Sequence, residues 1–260
     1  MSQSVVPVVE SKQIDTSPTL TFEEYRFYQT ASDLQYELYK GKLIPIPTAT
    51  VLHIKICEYL VYKLQRYLAE YNLDLVAKTG LGVRTEEDTS RIPDVVVCTQ
   101  SLLEQAAARP SSGILDFEEK PLLVIEVVSQ NRRADYVIKR AEYELANVPE
   151  YVIVDPTPHK ELVRVLAFPE GEDIYTQTDF RAGQQMVSVV FPNLTLSVNE
   201  ILSPPLVEGL IKAEQARFQE LEQQAAVERQ RADEQGQRAE RLAAMLLELG
   251  VDPDRILELG

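Results

Sequence analysis

The chain has 260 residues, 45% of them apolar and 26% charged, with 26 basic against 41 acidic side chains and a formal net charge of −15. That length suits one large domain, or a medium domain with an appendage, of ordinary globular composition. The acid excess excludes a basic, charge-driven polyanion binder, and it persists from Glu208 onward (7 basic, 12 acidic), so a nucleic-acid contact must be local or helped by a cation.

Residues 1–20 mix Ser, Thr, Pro and short apolar pieces and read as a loose arm. Thr21, with Glu24 three residues on, forms a capping-box pattern that opens a short helix. YELYKGKLIPIP, with Gly41 between two alternating segments, signals a hairpin. Apolar residues at 51, 54, 60, 61, 64 and 68 suit a long amphipathic helix over 50–71. Strand-like segments follow: LDLVAKTGLGVRTE, IPDVVVCT and PLLVIEVVS, the last two nearly continuous apolar runs of the kind covered on both faces. A helix is expected from about Arg133 to Ala146, ending at Asn147, which tolerates a left-handed cap, with Ser129 as its cap or turn residue. EYVIVD and ELVRVLAF are further strands, and DIYTQTDF, QMVSVVFP and LTLSVNEIL weaker ones. The alternation predicts an α/β fold with a mixed central sheet flanked by helices.

Residues 208–248 carry no proline, and Ile211, Phe218, Ala225, Ala232, Ala239 and Leu246 recur every seven residues. The companion seam of Glu214, Leu221, Glu228, Gln235 and Leu242 is mostly polar. The pattern predicts a long helix of weak coiled-coil character, suited to self-association or a partner protein. A last segment, DPDRILEL, is expected to cap it. The expected division is thus a loose arm over 1–20, a folded domain over 21–206 and a helical tail over 207–260. Cys57 and Cys98 read as small core residues, and two histidines are too few for a histidine-rich zinc site. No stretch is long and apolar enough for a membrane span and no secretory signal is seen, so the cytoplasm is the expected compartment.

Two carboxylates stand out. Asp94 opens the apolar run DVVVC after Pro93, and Glu126 interrupts LLVIEVV. A carboxylate in a covered strand needs a partner. A divalent cation such as Mg²⁺ meets that need for both, whereas a basic partner for Glu126 and a turn-capping Asp94 meet it equally well. Lys139 lies four residues after Asp135 and four before Tyr143, placed either to assist chemistry on a phosphate or to make an exposed i, i+4 pair. No G-x-S-x-G, P-loop, G-x-G-x-x-G or C-x-x-C competes.

The ordered set YELYKGKL, a histidine in the next helix, PDVVV, LLVIEVVS, a helix with D-x-x-x-K-x-x-x-Y, and VPEYVIVDP resembles the Uma-two family, described as endonucleases. That family lies within the PD-(D/E)xK nucleases of restriction-endonuclease-like fold. The resemblance spans roughly residues 20–200 and implies a nuclease acting on DNA with Mg²⁺, or Mn²⁺ in its place. Asp94, Glu126 and the carbonyl of Val127 would be metal ligands, and Asp94, Glu126 and Lys139 catalytic residues. The usual lysine two residues after the glutamate is absent, since Val128 stands there; Lys139 matches the family's lysine on the following helix. Glu37 and His53 match less specific positions. Two other readings stay open: a nuclease-fold module that no longer cuts and assembles through its tail, and metal-assisted hydrolysis of a small phosphate ester.

Overall fold

A computed structural model describes residues 19–28, 34–110 and 113–249. All but the end of the expected N-terminal arm, and the expected cap DPDRILEL, lie outside the described residues. The chain forms two compact units, Met1–Pro205 and Leu206–Gly260.

The first unit opens with α1 (Phe22–Arg26), whose capping box forms as expected: Glu24 N–H donates to Thr21 Oγ1, and Thr21 N–H to Glu24 Oε2 at 2.8 Å. The hairpin β1 (Tyr36–Tyr39) and β2 (Lys42–Pro45) turns through Lys40 (φ 50) and Gly41 (φ 76). A side chain at Gly41 would also press on Thr19 Cβ at 3.0 Å, so the turn needs glycine twice over. Next comes α2 (Val51–Glu70), capped by Thr50, which buries Ile56, Tyr59, Leu60, Leu64 and Leu68 along one side.

The expected segment LDLVAKTGLGVRTE is two strands, not one. β3 (Leu75–Lys78) and β4 (Gly82–Glu86) belong to different sheets. The chain breaks at Gly80, which takes φ 70, a conformation open to glycine at little cost. β5 (Thr89–Arg91), β6 (Val95–Thr99), α3 (Gln100–Ala107), β7 (Ile114–Leu115) and β8 (Leu123–Val127) follow. The helix α4 winds as a π-helix over Ala134–Lys139 and as an α-helix over Arg140–Leu145. It ends in a left-handed cap at Asn147 (φ 54), with Val148 N–H reaching Tyr143 O and Asn147 N–H reaching Glu144 O, a Schellman closure. At its start Ala134 N–H finds the Asn131 side chain, so Asn131 rather than Ser129 serves there. β9 (Glu150–Asp155), β10 (Leu162–Ala167), β11 (Thr176–Phe180), β12 (Gln185–Val187) and β13 (Thr195–Ser197) complete the strands. The expected strand LTLSVNEIL is corrected after Ser197, whose hydroxyl caps the short helix α5 (Val198–Leu202).

Mixed sheets flanked by helices are present, divided rather than single. One sheet runs β11-β10-β9-β8-β6-β3, with β8 and β9 parallel and its other pairs antiparallel. The second runs β2-β1-β5-β4-β7. β6 and β8 are buried almost throughout, as their unbroken apolar runs require. The side chains of Val96, Cys98, Val124, Val128, Tyr151 and Ile153 share one core with Tyr143 and Ala146 of α4.

The second unit is α6 (Val207–Glu248), 42 residues with none buried, about 60 Å at 1.5 Å per residue. Ile211, Phe218, Leu221, Leu242 and Met245 are exposed on it.

Candidate active site

Pro93 cannot donate to a ladder, and Asp94 follows it immediately before β6. β6 pairs β8 in the register Val95↔Ile125. Extending that register by one residue sets Asp94 opposite Glu126, and directly opposed residues share a face of the sheet. Asp94 is tied at both oxygens. Oδ2 accepts the Val127 N–H at 2.6 Å, and Oδ1 lies 2.8 Å from His53 Nε2. The hydrogen bond to Asp94 raises the His53 imidazole above its ordinary range, against its partial burial.

Glu126 is 3% exposed. The Tyr143 hydroxyl and the Lys139 ammonium both reach its Oε1, each at 2.9 Å. Lys139 also lies 3.2 Å from Glu37 Oε1 and 3.7 Å from Asp135 Oδ1. The Asp135–Lys139 pair therefore forms, but sheltered, with 9% and 11% side-chain exposure, and not on the solvated face. Val137, Ala141 and Leu145, across the helix, are the exposed residues of α4. Val128, where the usual lysine would stand, is buried in the core cluster, and Lys139 approaches Glu126 from the helix.

Behind Lys139 sits a network that sequence reasoning did not find. Arg91 of β5 makes a two-pronged contact with Glu142 of α4, Nε–Oε2 2.6 Å and Nη2–Oε1 2.7 Å, and reaches Glu37 Oε2 of β1 at 2.9 Å. Glu37 Oε1 also accepts the Ile92 N–H. Glu37 is thus a bridge between Arg91 and Lys139, tying one sheet to the helix that packs on the other. No local pattern marks Arg91: it sits in the short polar strand Thr-Ser-Arg, and burial is its sole signal. Arg132, in the loop just after β8, is committed to Asp155 Oδ2 at 2.6 Å and stacks on Tyr136.

The four carboxylates Glu37, Glu126, Asp135 and Glu142 pair with two permanent cations, Arg91 and Lys139, and a fifth, Asp94, pairs with His53. The excess is visible in the protonation of the site. Burial pushes the Glu126 carboxyl well up, Lys139 opposes this, and Asp94, Asp135 and Glu37 add to it. Burial likewise raises Asp135 to about 6. Burial alone would lower the Lys139 ammonium, but Glu126, Glu37 and Asp135 outweigh it and hold the lysine protonated. A divalent cation fits this place on two counts: the donors are hard oxygens, and the buried negative charge exceeds its compensation.

The architecture is a mixed α/β fold with Asp94 and Glu126 paired across neighbouring strands and Lys139 reaching Glu126 from a helix. The chain matches the family model Uma2, whose description is "Putative restriction endonuclease", over residues 22–199, and it belongs to that family. It is similar in fold to the crystal structure of a "putative nuclease belonging to DUF820" from Anabaena variabilis. The TM-score is 0.55 at 18% identity, over 71% of this chain and 98% of that one. No curated protein matches the chain. Restriction-endonuclease-like families use divalent metals in general. No helix among the described residues is long and apolar enough to cross a membrane.

Proposed function

We propose that the chain is a Mg²⁺-dependent endonuclease that hydrolyses phosphodiester bonds of DNA, with Mn²⁺ able to replace Mg²⁺. The observation that carries this reading is the placement of Asp94 opposite Glu126 on one sheet face, with Lys139 2.9 Å from Glu126. Asp94, Glu126 and the Val127 carbonyl would hold the cation, which supplies charge to the phosphate and acidity to an attacking water. The Val127 N–H and His53 fix the Asp94 carboxylate in one orientation. Lys139, kept protonated by its carboxylate neighbours, donates rather than accepts. Its role is to orient the water or offset charge growing on the phosphate. A strongly acidic chain approaches DNA through that cation and not through a basic groove. Free, buried Cys57 and Cys98 suit the reducing cytoplasm.

The test is cleavage of supercoiled plasmid with Mg²⁺ or Mn²⁺ against an EDTA control, for the wild type and Glu126→Gln. Metal-dependent nicking lost in Glu126→Gln supports the reading. No cleavage by folded, metal-loaded protein favours the second reading, a nuclease-fold module that assembles through α6. The observation behind that alternative is the exposed apolar series on α6 that includes Ile211 and Phe218.

A further inference from the structure

Two ligand-capable side chains of α2 face Asp94. His53 and Cys57 stand four residues apart, so one helical turn stacks them on the same side. The ligand atoms of His53, Cys57 and Asp94 all lie within 4.8 Å of one another. Cys57 is 9% exposed, while the His53 and Asp94 side chains keep 17% and 21%, so the trio has an open side.

We propose that His53, Cys57 and Asp94 form a distinct site for a borderline divalent ion, Zn²⁺ above all, bound through one nitrogen, one sulfur and one oxygen. The donor set decides the class of ion. Imidazole and thiolate suit Zn²⁺, whereas Mg²⁺ takes oxygen. Size agrees. Zinc bonds of about 2.0–2.3 Å set tetrahedral ligands about 3.3–3.6 Å apart. The 2.8 Å His53–Asp94 contact then opens by roughly half an ångström as the ion enters between its two atoms. On binding, the Cys57 thiol releases its proton to solvent. His53 presents Nε2 and keeps a proton on Nδ1, and any second imidazole proton leaves as well. Three protein ligands leave the fourth tetrahedral position to water or a substrate oxygen, unlike a closed structural site.

Coordination by the trio stands apart from the nuclease reading. Its consequence for catalysis rests on that reading, because Asp94 cannot serve two ions in two geometries at once. Zinc would then withdraw Asp94 from the pair it makes with Glu126.

Cobalt titration of the tag-free, metal-stripped full chain reads the site directly, since a thiolate–Co²⁺ bond absorbs in the near ultraviolet. The expected result is a charge-transfer band that saturates at one equivalent. Zn²⁺ abolishes it by displacement, and Mg²⁺ leaves it unchanged. Cys57→Ser removes the band, and Cys98→Ser retains it. By calorimetry, Cys57→Ser weakens Zn²⁺ binding by at least the roughly 10–100-fold seen on losing an outer-shell partner. Absence of the band in folded wild type, or its persistence in Cys57→Ser, overturns the proposal. Should Cys57→Ser not fold, His53→Gln serves in its place: Zn²⁺ affinity must fall there too, and unchanged affinity overturns the site. Neither readout involves cleavage, so an inactive enzyme leaves the result intact.

Discussion

Lys139 Nζ lies 2.9 Å from Glu126 Oε1 although the lysine is carried by α4 and the glutamate by β8. The strand position that would otherwise supply a lysine, Val128, packs in the core beneath the same helix. The π-wound turn over Ala134–Lys139 lies in the part of α4 that delivers Asp135 and Lys139 to the site. Such turns recur where a helix must re-aim its side chains.

Removing that ammonium should do more than loosen packing. Lys139→Ala is expected to lower plasmid cleavage by about 10²–10³-fold, the loss typical of one charge-stabilising donor. It also leaves Glu126 buried without its cation, at about 3–5 kcal/mol unless the carboxyl takes a proton. Nicking kinetics and urea denaturation measure the two effects separately. Wild-type activity in Lys139→Ala would remove the lysine from the mechanism.

Divalent metal should stabilise the folded chain. Mg²⁺ at about a hundred times its dissociation constant adds about 2.7 kcal/mol by mass action, seen as a rise in melting temperature that EDTA reverses. Asp94→Asn is expected to lose most of that rise. An unchanged metal-induced shift in Asp94→Asn would place the ion elsewhere.

The stability of the metal-free chain should fall as pH rises from about 4 to about 6. Burial is the main cause that lifts Asp135 from the ordinary 3.8 to about 6. The folded state therefore holds this proton more tightly than the unfolded chain. The resulting stability is complete below the ordinary value and is lost as pH passes through about 6. Its size is on the order of 3 kcal/mol. Asp135→Asn should flatten the slope in denaturant titrations across that window, and an unaltered slope would assign it to other groups.

Arg91 is expected to be the costliest single substitution in the network. Arg91→Ala strands Glu142 in a buried place and leaves Glu37 with Lys139 and the Ile92 N–H, a loss of about 3–5 kcal/mol. Arg91→Lys should recover only part of it, because an ammonium cannot reproduce the two-pronged contact with Glu142. Chemical denaturation of both variants measures this. Full recovery by lysine would mean that charge alone matters.

Self-association through α6 should depend on its apolar series. Sedimentation velocity over a range of concentrations is expected to show a concentration-dependent species in the wild type and a monomer in the double variant Ile211→Glu, Phe218→Glu. Identical behaviour of the two proteins would exclude the stripe.

Local pattern carried a large part of this protein. The turn at Gly41, the capping box at Thr21, α2, the apolar runs β6 and β8, the left-handed close at Asn147 and the long helix α6 each follow from neighbours within a few residues, where backbone preference and burial period act. Asp94, Glu126 and Lys139 were conspicuous for the same reason, as charges in or beside apolar runs. Tertiary structure alone decided the rest. It split LDLVAKTGLGVRTE between two sheets at Gly80. It brought Arg91, Glu37 and Glu142 together from three elements. It also turned His53 and Cys57 toward Asp94. Those contacts join residues far apart in the chain, and their energy comes from pairing charges that burial strips of water, a quantity with no local signature until the sheets have registered and the helix has packed.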